Sequence, residues 1–259
     1  MKAHKLLDGS MESYYWLGIL ASDGNFSKNK KGELSVINLR VTDKSIVEKF
    51  IKFLDTDIKL NVANYNNKKD CYKAAVGDIK TISKLKDLYL IHANKTENPM
   101  NINLDGDNLI SFLIGFIDGD GCVDTNSAGY YRIRVKSHKN WIKEFLKWNI
   151  KLNTLCNSNI PEPKINNYGY IEWNIHSPIV LKFLKKKSKQ LPVLKRKWDT
   201  LNIKKLNSKI VKLKNQAYIK SKCINLYVQG YKNREISCLL KITTGRVSWY
   251  INQFKRQSK

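Results

Sequence analysis

Apolar positions along this chain change period repeatedly, and each change marks an element. Trp16, Leu17, Ile19 and Leu20 make two turns of a helix that is apolar nearly all round and runs straight into Asp23 and Gly24. From Leu34 the period becomes two: Leu34, Val36, Leu39 and Val41 read as one face, Asn38, Arg40 and Thr42 as the other. Adjacent Val36 and Ile37 break that alternation and predict a bulge or bend. Ile46, Val47, Phe50, Ile51 and Leu54 then return to helical spacing.

The same order recurs. The run from Leu109 to Ile117 leads into Asp120 and Gly121, 97 residues after Asp23 and Gly24. Tyr131, Ile133 and Val135 then alternate with Arg132, Arg134 and Lys136, and Trp141, Ile142, Phe145, Leu146 and Trp148 restore a helix. Each copy continues with strand signals around a polar turn, in residues 59–77 and 163–177. Each closes on a basic amphipathic helix, ISKLKDLYL in one and IVLKFLKKK in the other. The pattern therefore predicts an α+β fold of two pseudo-symmetric αββαββα repeats, at 1–104 and 105–198. Beyond Trp198 the text turns polar and basic, giving a linker or connecting helix at 199–216 and a small all-α segment at 217–259.

Charge narrows the partner. Lys and Arg number 47 against 22 Asp and Glu, a formal net charge of +25. Such an excess points to a polyanion, nucleic acid ahead of a membrane surface, because each neutralised phosphate releases counterions. Five cysteines, Cys71, Cys122, Cys156, Cys223 and Cys238, form no CxxC pair. Reduced thiols in a cytoplasmic or organelle-interior protein are expected, without structural zinc. The longest apolar run falls well short of a bilayer span, and the first sixteen residues hold an acid and a glycine where a signal peptide needs an apolar core, so neither a membrane segment nor secretion is indicated.

Gly18 and Ser22 lie four apart, as do Gly115 and Gly119, so each apolar helix carries a strip of small residues. Such strips let two backbones approach closely, and two copies of one unit invite pairing about a pseudo-twofold axis. Gly24 and Gly121 suit the left-handed residue that closes a helix. Asp23 and Asp120 would then lie side by side, where each repels the other and both helix dipoles unless a cation intervenes. A divalent cation meets that requirement, since Mg²⁺ is held by one or two carboxylates with water and phosphate completing its shell. The alternative is two core helices ending in a common Asp-Gly turn; the repetition of glycine five before and one after each aspartate favours the functional pair.

Trp16–Gly24 (WLGILASDG) and Leu113–Gly121 (LIGFIDGDG) resemble the two LAGLIDADG motifs of the single-chain LAGLIDADG homing endonucleases. The second copy is close. The first departs at Trp16, usually leucine, and at Ala21, where the first aspartate usually stands. The resemblance spans about residues 12–198 and implies a saddle of two antiparallel sheets on duplex DNA, cutting both strands. It places Mg²⁺, with Mn²⁺ or Ca²⁺ as crystallographic substitutes, at Asp23 and Asp120 and the adjoining Gly24 and Gly121. It also places a basic residue near each active site: Lys95 occupies the expected region in the first copy, and Lys195, Arg196 and Lys197 are the candidates in the second, Lys195 preferred because it lies 100 residues after Lys95, close to the repeat offset; a surface lysine is the alternative for each.

Asn38, Arg40, Thr42, Arg132, Arg134 and Lys136, outward on their strands, are the expected DNA contacts of the saddle; for any one of them a solvated sheet residue is the alternative. Asp118 has no counterpart at Ala21 and reads as structural or auxiliary. His4, His92, His138 and His176 form no ligand spacing, and Trp141, Trp148 and Trp173 fall on apolar faces that suit a core. Residues 221–257 read as three short helices similar to a helix-turn-helix module, with Thr244, Arg246 and Asn252 on the exposed face of the recognition helix; a basic bundle that only packs on the nuclease is the alternative. The expected function is a monomeric, site-specific homing endonuclease acting on double-stranded DNA. An RNA-binding intron maturase and a non-catalytic repressor are the rivals.

Overall fold

Ser10 begins the first helix by accepting the Ser13 N–H on its Oγ at 3.1 Å, and α1 (Met11–Ser22) follows. In the computed structural model, which describes residues 3–63 and 70–257, Tyr15 through Ala21 of this helix are all buried. A helix apolar on every side belongs inside. The chain passes directly into β1 (Gly24–Lys28), turns to β2 (Leu34–Val41), and crosses α2 (Lys44–Leu54) to β3 (Asn61–Ala63), β4 (Cys71–Gly77) and α3 (Ile79–Tyr89). The second copy runs α4 (Gly106–Asp120), β5 (Gly121–Thr125), β6 (Tyr131–His138), α5 (Ile142–Cys156), β7 (Lys164–Ile165), β8 (Tyr170–Ile175) and α6 (Pro178–Ser188), followed by the single turn α7 (Lys195–Trp198).

This is the α+β repeat expected from the sequence. Two antiparallel sheets result, ordered β1-β2-β4-β3 and β5-β6-β8-β7. Gly24 pairs with Leu39 and Gly121 with Val135, so each sheet begins at the residue after a helix-terminal aspartate. Residues 64–69, the polar turn of the first copy, lie outside the described residues. In the second copy the turn is closed by Asn166, whose Oδ1 accepts the Tyr168 and Tyr170 N–H groups, with Gly169 at φ +76°.

Three local expectations need correction. Ile37 and Leu39 are the core residues of β2, at 0% exposure, whereas Leu34 and Val36 are only half-buried. The irregularity falls earlier, where Ser27 pairs with Val36 but Lys28 with Leu34, leaving Ser35 extra. Two adjacent apolar residues fit either register, and packing against the helices chose the second. The glycines after the aspartates are not left-handed: Gly121 is extended, at φ −88° and ψ 152°. Glycine is needed there because the strand leaves so close to the helix that a Cβ on Gly24 would lie 2.5 Å from Leu20 O, and one on Gly121 2.5 Å from Ile117 O.

The two apolar helices meet backbone to backbone. A Cβ on Gly18 would fall 2.0 Å from Phe112 O, and one on Gly115 2.0 Å from Tyr15 O. Around α4 the second repeat builds an aromatic core in which Trp148 lies 5.4 Å from Phe116 and 5.0 Å from Phe145. Trp173 joins it and donates its indole N–H to Asn149 at 3.0 Å. Trp141, Trp148 and Trp173 are thus core residues, as their spacing suggested.

Two compact units divide the chain, residues 1–202 and residues 203–259. The second holds α8 (Ile203–Val228), α9 (Asn233–Leu240) and α10 (Thr244–Gln257). Residues 203–216, set apart from the last segment on composition, are continuous with 217–228 in one helix. Nothing in that basic stretch breaks a helix, since Lys, Leu and Gln all favour one. Cys223, Ile236, Val247, Tyr250 and Ile251 form this unit's core. Among the described residues no helix is long and apolar enough to cross a membrane.

Candidate functional site

The site grows from the ends of α1 and α4. Asp23 caps α1, its backbone N–H donated to Ile19 O at 2.8 Å, and Asp120 is the last residue of α4. Helix C-termini gather unsatisfied carbonyls and negative potential. A lysine answers each. Lys95 Nζ donates to Leu20 O at 3.0 Å, Ala21 O at 2.9 Å and also to Ser22 O. Lys197 Nζ donates to Ile117 O at 3.0 Å, Gly119 O at 3.1 Å and Gly121 O at 2.7 Å, and also to Asp118 O.

Lys197, rather than Lys195, is therefore the counterpart of Lys95. Lys195 lies exposed at the start of α7. Asp118 decides which of them reaches the helix. Its buried carboxylate accepts Tyr15 Oη at 2.8 Å, the Leu194 N–H at 2.9 Å and the Trp198 indole N–H at 2.8 Å. These bonds pin both flanks of residues 195–197 to the α1–α4 pair, and one turn of helix then carries Lys197 inward. Burial raises the pKa of Asp118 in spite of the three donors. Ala21, at the matching position of the first copy, makes no such side-chain bonds.

Asp23 and Asp120 keep solvent access, yet the surrounding protein desolvates both carboxyl groups. Burial, then the charge of Asp23, push Asp120 up to about 6, with Lys95 and Lys197 opposing. Asp23 is raised by burial and pulled back by the same two lysines. Burial likewise lowers Lys95 to about 8 and lowers Lys197. Two acids and two lysines at paired helix ends form one interacting set.

Two open clefts flank this set, each drawing on both repeats. Asp23, Arg40, Thr42, Gly119, Arg196 and Lys197 line one. Ser22, Lys95, Asp120, Lys136, His138 and Tyr170 line the other. The acid of one repeat thus faces the lysine of the other.

The remaining predicted residues divide. Arg40 and Thr42 stand at the first cleft. Asn38 does not point outward as expected: it is only 8% exposed and donates Nδ2 to Ser27 Oγ at 3.0 Å across the sheet. Arg132 Nε pairs with Asp124 at 2.7 Å, Arg134 pairs with the same carboxylate, and Lys136 pairs with Glu172 at 3.2 Å. Gly24 and Gly121 open the two sheets, and the Gly121 carbonyl is taken by Lys197. In the second unit Thr244 and Asn252 are exposed, while Arg246 folds back and donates Nε to Tyr250 Oη at 3.1 Å. Sequence reasoning named Lys197 among three candidates but preferred Lys195, and it missed the Asp43–Arg196 pair at 3.3 Å. The signal available was Trp198, an aromatic beside the lysine that reaches back to the second motif.

Removing the Asp120 charge is expected to stabilise the cation-free protein. A carboxyl raised from 3.8 to about 6 holds its proton in the folded state, so stability falls as pH climbs through that window and the penalty is complete above it. The shift corresponds to about 3 kcal/mol, and solvent at the cleft screens it to about 1 kcal/mol. Urea unfolding in EDTA should find Asp120→Asn the more stable at pH 7.5 and equal to the unsubstituted chain at pH 4. A variant less stable at pH 7.5 would show that the carboxylate is not repelled there.

No protein-family model matches this chain. An uncharacterized protein of Methanocaldococcus jannaschii is 34% identical over 132 residues, covering 48% of this chain and 46% of its own length. The match spans about half of that relative. Solved structures similar to the chain include a homing endonuclease and a LAGLIDADG meganuclease. The homing endonuclease I-WcaI bound to its DNA recognition sequence is 15% identical at a TM-score of 0.49, over 73% of this chain and 85% of that one. The LAGLIDADG meganuclease I-AabMI bound to uncleaved DNA is 12% identical at 0.45, over 78% and 91%. I-DmoI in complex with DNA and Mn is 15% identical at 0.43, over 68% and 96%.

Proposed function

We propose that this chain is a LAGLIDADG homing endonuclease that cuts both strands of a long DNA target. The observation that carries the reading is the crossed construction of the two clefts, with Asp23 facing Lys197 and Asp120 facing Lys95. Two equivalent sites built from one chain suit two antiparallel strands, and the chain would work as a monomer.

The donor set suits a hard divalent cation such as Mg²⁺: two mutually repelling carboxylates that keep solvent access, with room for water and phosphate oxygens. Asp23 and Asp120 would hold it; Gly24 and Gly121 are the weaker candidates of the expected ligand set, the Gly121 carbonyl being already engaged by Lys197. A cation held there would supply activation of water and charge neutralisation at the phosphate. Lys95 and Lys197 fix the helix ends, each with its own pKa lowered by burial, and would supply positive charge beside a phosphate bound in the clefts. Arg40, Arg196 and Lys136 line the clefts and suit the flanking phosphates. The second unit would add a DNA-binding module.

Incubating the protein and Mg²⁺ with a library of randomised duplexes tests the proposal. Cleavage is expected, and Asp23→Asn and Asp120→Asn should each lower it about 100-fold or more while retaining binding. Tight binding without cutting by the unsubstituted chain would overturn the nuclease in favour of a repressor. Support of intron splicing by both variants would favour the maturase.

A further inference from the structure

The second unit holds an imbalance that its fold does not require. Residues 203–259 contain 14 Lys and Arg against one acid, Glu235. That acid is spent on a helix start, where Glu235 Oε2 accepts the Lys232 N–H at 2.7 Å. α10 buries Val247, Tyr250 and Ile251 in the unit's core. Its opposite side carries Gly245, Trp249, Asn252 and Arg256, all exposed, at the four-three-four spacing of a single helical stripe. Trp249 is 55% exposed in the middle of that stripe. It leans on Tyr250 with ring centroids 5.2 Å apart, which restrains the ring without covering it.

We infer that Trp249 is a base-reading residue, placing its indole against thymine methyl groups in the major groove of duplex DNA. Charge complementarity selects the occupant, since a surface with one capped acid among 14 cations suits a polyanion. Geometry selects the groove. A helix that follows a three-residue turn, residues 241–243, presents its first two turns to base edges, and Trp249 lies in the second. Chemistry selects the base: an indole face has no acceptor to offer, and the thymine methyl is the apolar group displayed in the major groove. Asn252, one turn further on, suits adenine N6 and N7, so the stripe favours an A·T-containing block. Arg246 is bonded to Tyr250, and Arg256, in the last turn of the helix, suits a flanking phosphate. The block is additional to whatever the two sheets read, and the inference rests on duplex DNA being the partner proposed above.

The test selects random duplexes with the full chain in EDTA, so that cutting plays no part. The selected sites should contain a short A·T-bearing block beside a longer one. Trp249→Ala should lose that short block from its own selection and bind the original sites about tenfold more weakly, while still enriching the longer block; Trp249→Phe should recover most of the loss. Replacing the thymines of the short block by deoxyuridine should weaken the unsubstituted chain and leave Trp249→Ala unmoved. Identical selections and affinities for the chain and Trp249→Ala would overturn the inference, as would equal sensitivity of both to deoxyuridine, or selection of no duplex at all. Adding Mg²⁺ to the selected sites then tests the nuclease separately.

Discussion

Gly115→Ala is expected to destabilise the first unit by about 3 kcal/mol or more. The new methyl carbon would sit 2.0 Å from the carbonyl oxygen of Tyr15 and 2.9 Å from its carbonyl carbon, both backbone atoms. No rotamer relieves such a clash, because a Cβ has none. The helices must separate along α1 and α4, and contacts between close-packed surfaces fall away within an ångström. Alanine's better helix propensity returns only about 1 kcal/mol. Each kcal/mol moves the melting temperature of a unit this size by about 2–4 °C, so a fall of about 10 °C is expected. Gly77→Ala is the control, since its Cβ would find Ser35 O at an ordinary 3.8 Å. Equal melting temperatures for the two variants would mean that the helices are not in backbone contact. The same experiment probes the site, because the two aspartates are neighbours only while the helices touch.

Lys197→Met should reduce cutting about 100-fold, whereas Lys195→Met should leave it within about threefold. Methionine keeps much of the stem's volume but cannot donate to Ile117 O, Gly119 O and Gly121 O. The C-terminus of α4 then loses its cation, and a charge that lowers the pKa of both Asp23 and Asp120 disappears. Binding of the target should persist, since one charge among 47 is lost. Strand-resolved cleavage at fixed Mg²⁺ measures the effect. The reverse ranking of the two lysines would remove Lys197 from the site and return the role to Lys195.

Legibility followed the range of the interaction involved. The period of three to four over Ile46–Leu54 and of two over Tyr131–Val135 are properties of adjacent residues, and those elements stand where they were expected. The twin Asp-Gly ends were legible because they recur. The register of β2 was not, since Val36 and Ile37 are equally apolar and only the helices above the sheet distinguish them. Arg132, Arg134 and Lys136 alternate outward as read, but their engagement by Asp124 and Glu172 arises across neighbouring strands.

By itself the sequence determined that two like units exist, that each begins with a helix suited to burial, and that each of those helices ends in a carboxylate before a glycine. These are matters of composition and short period, which adjacent residues carry. Tertiary structure alone decided which lysine meets the second helix end, because Lys197 and the carbonyls it reaches are 76 to 80 residues apart and Asp118 had to fold against Leu194 and Trp198 to bring them together. It also decided that the glycines after the aspartates serve close approach, since chain direction at that point depends on the strand each one enters.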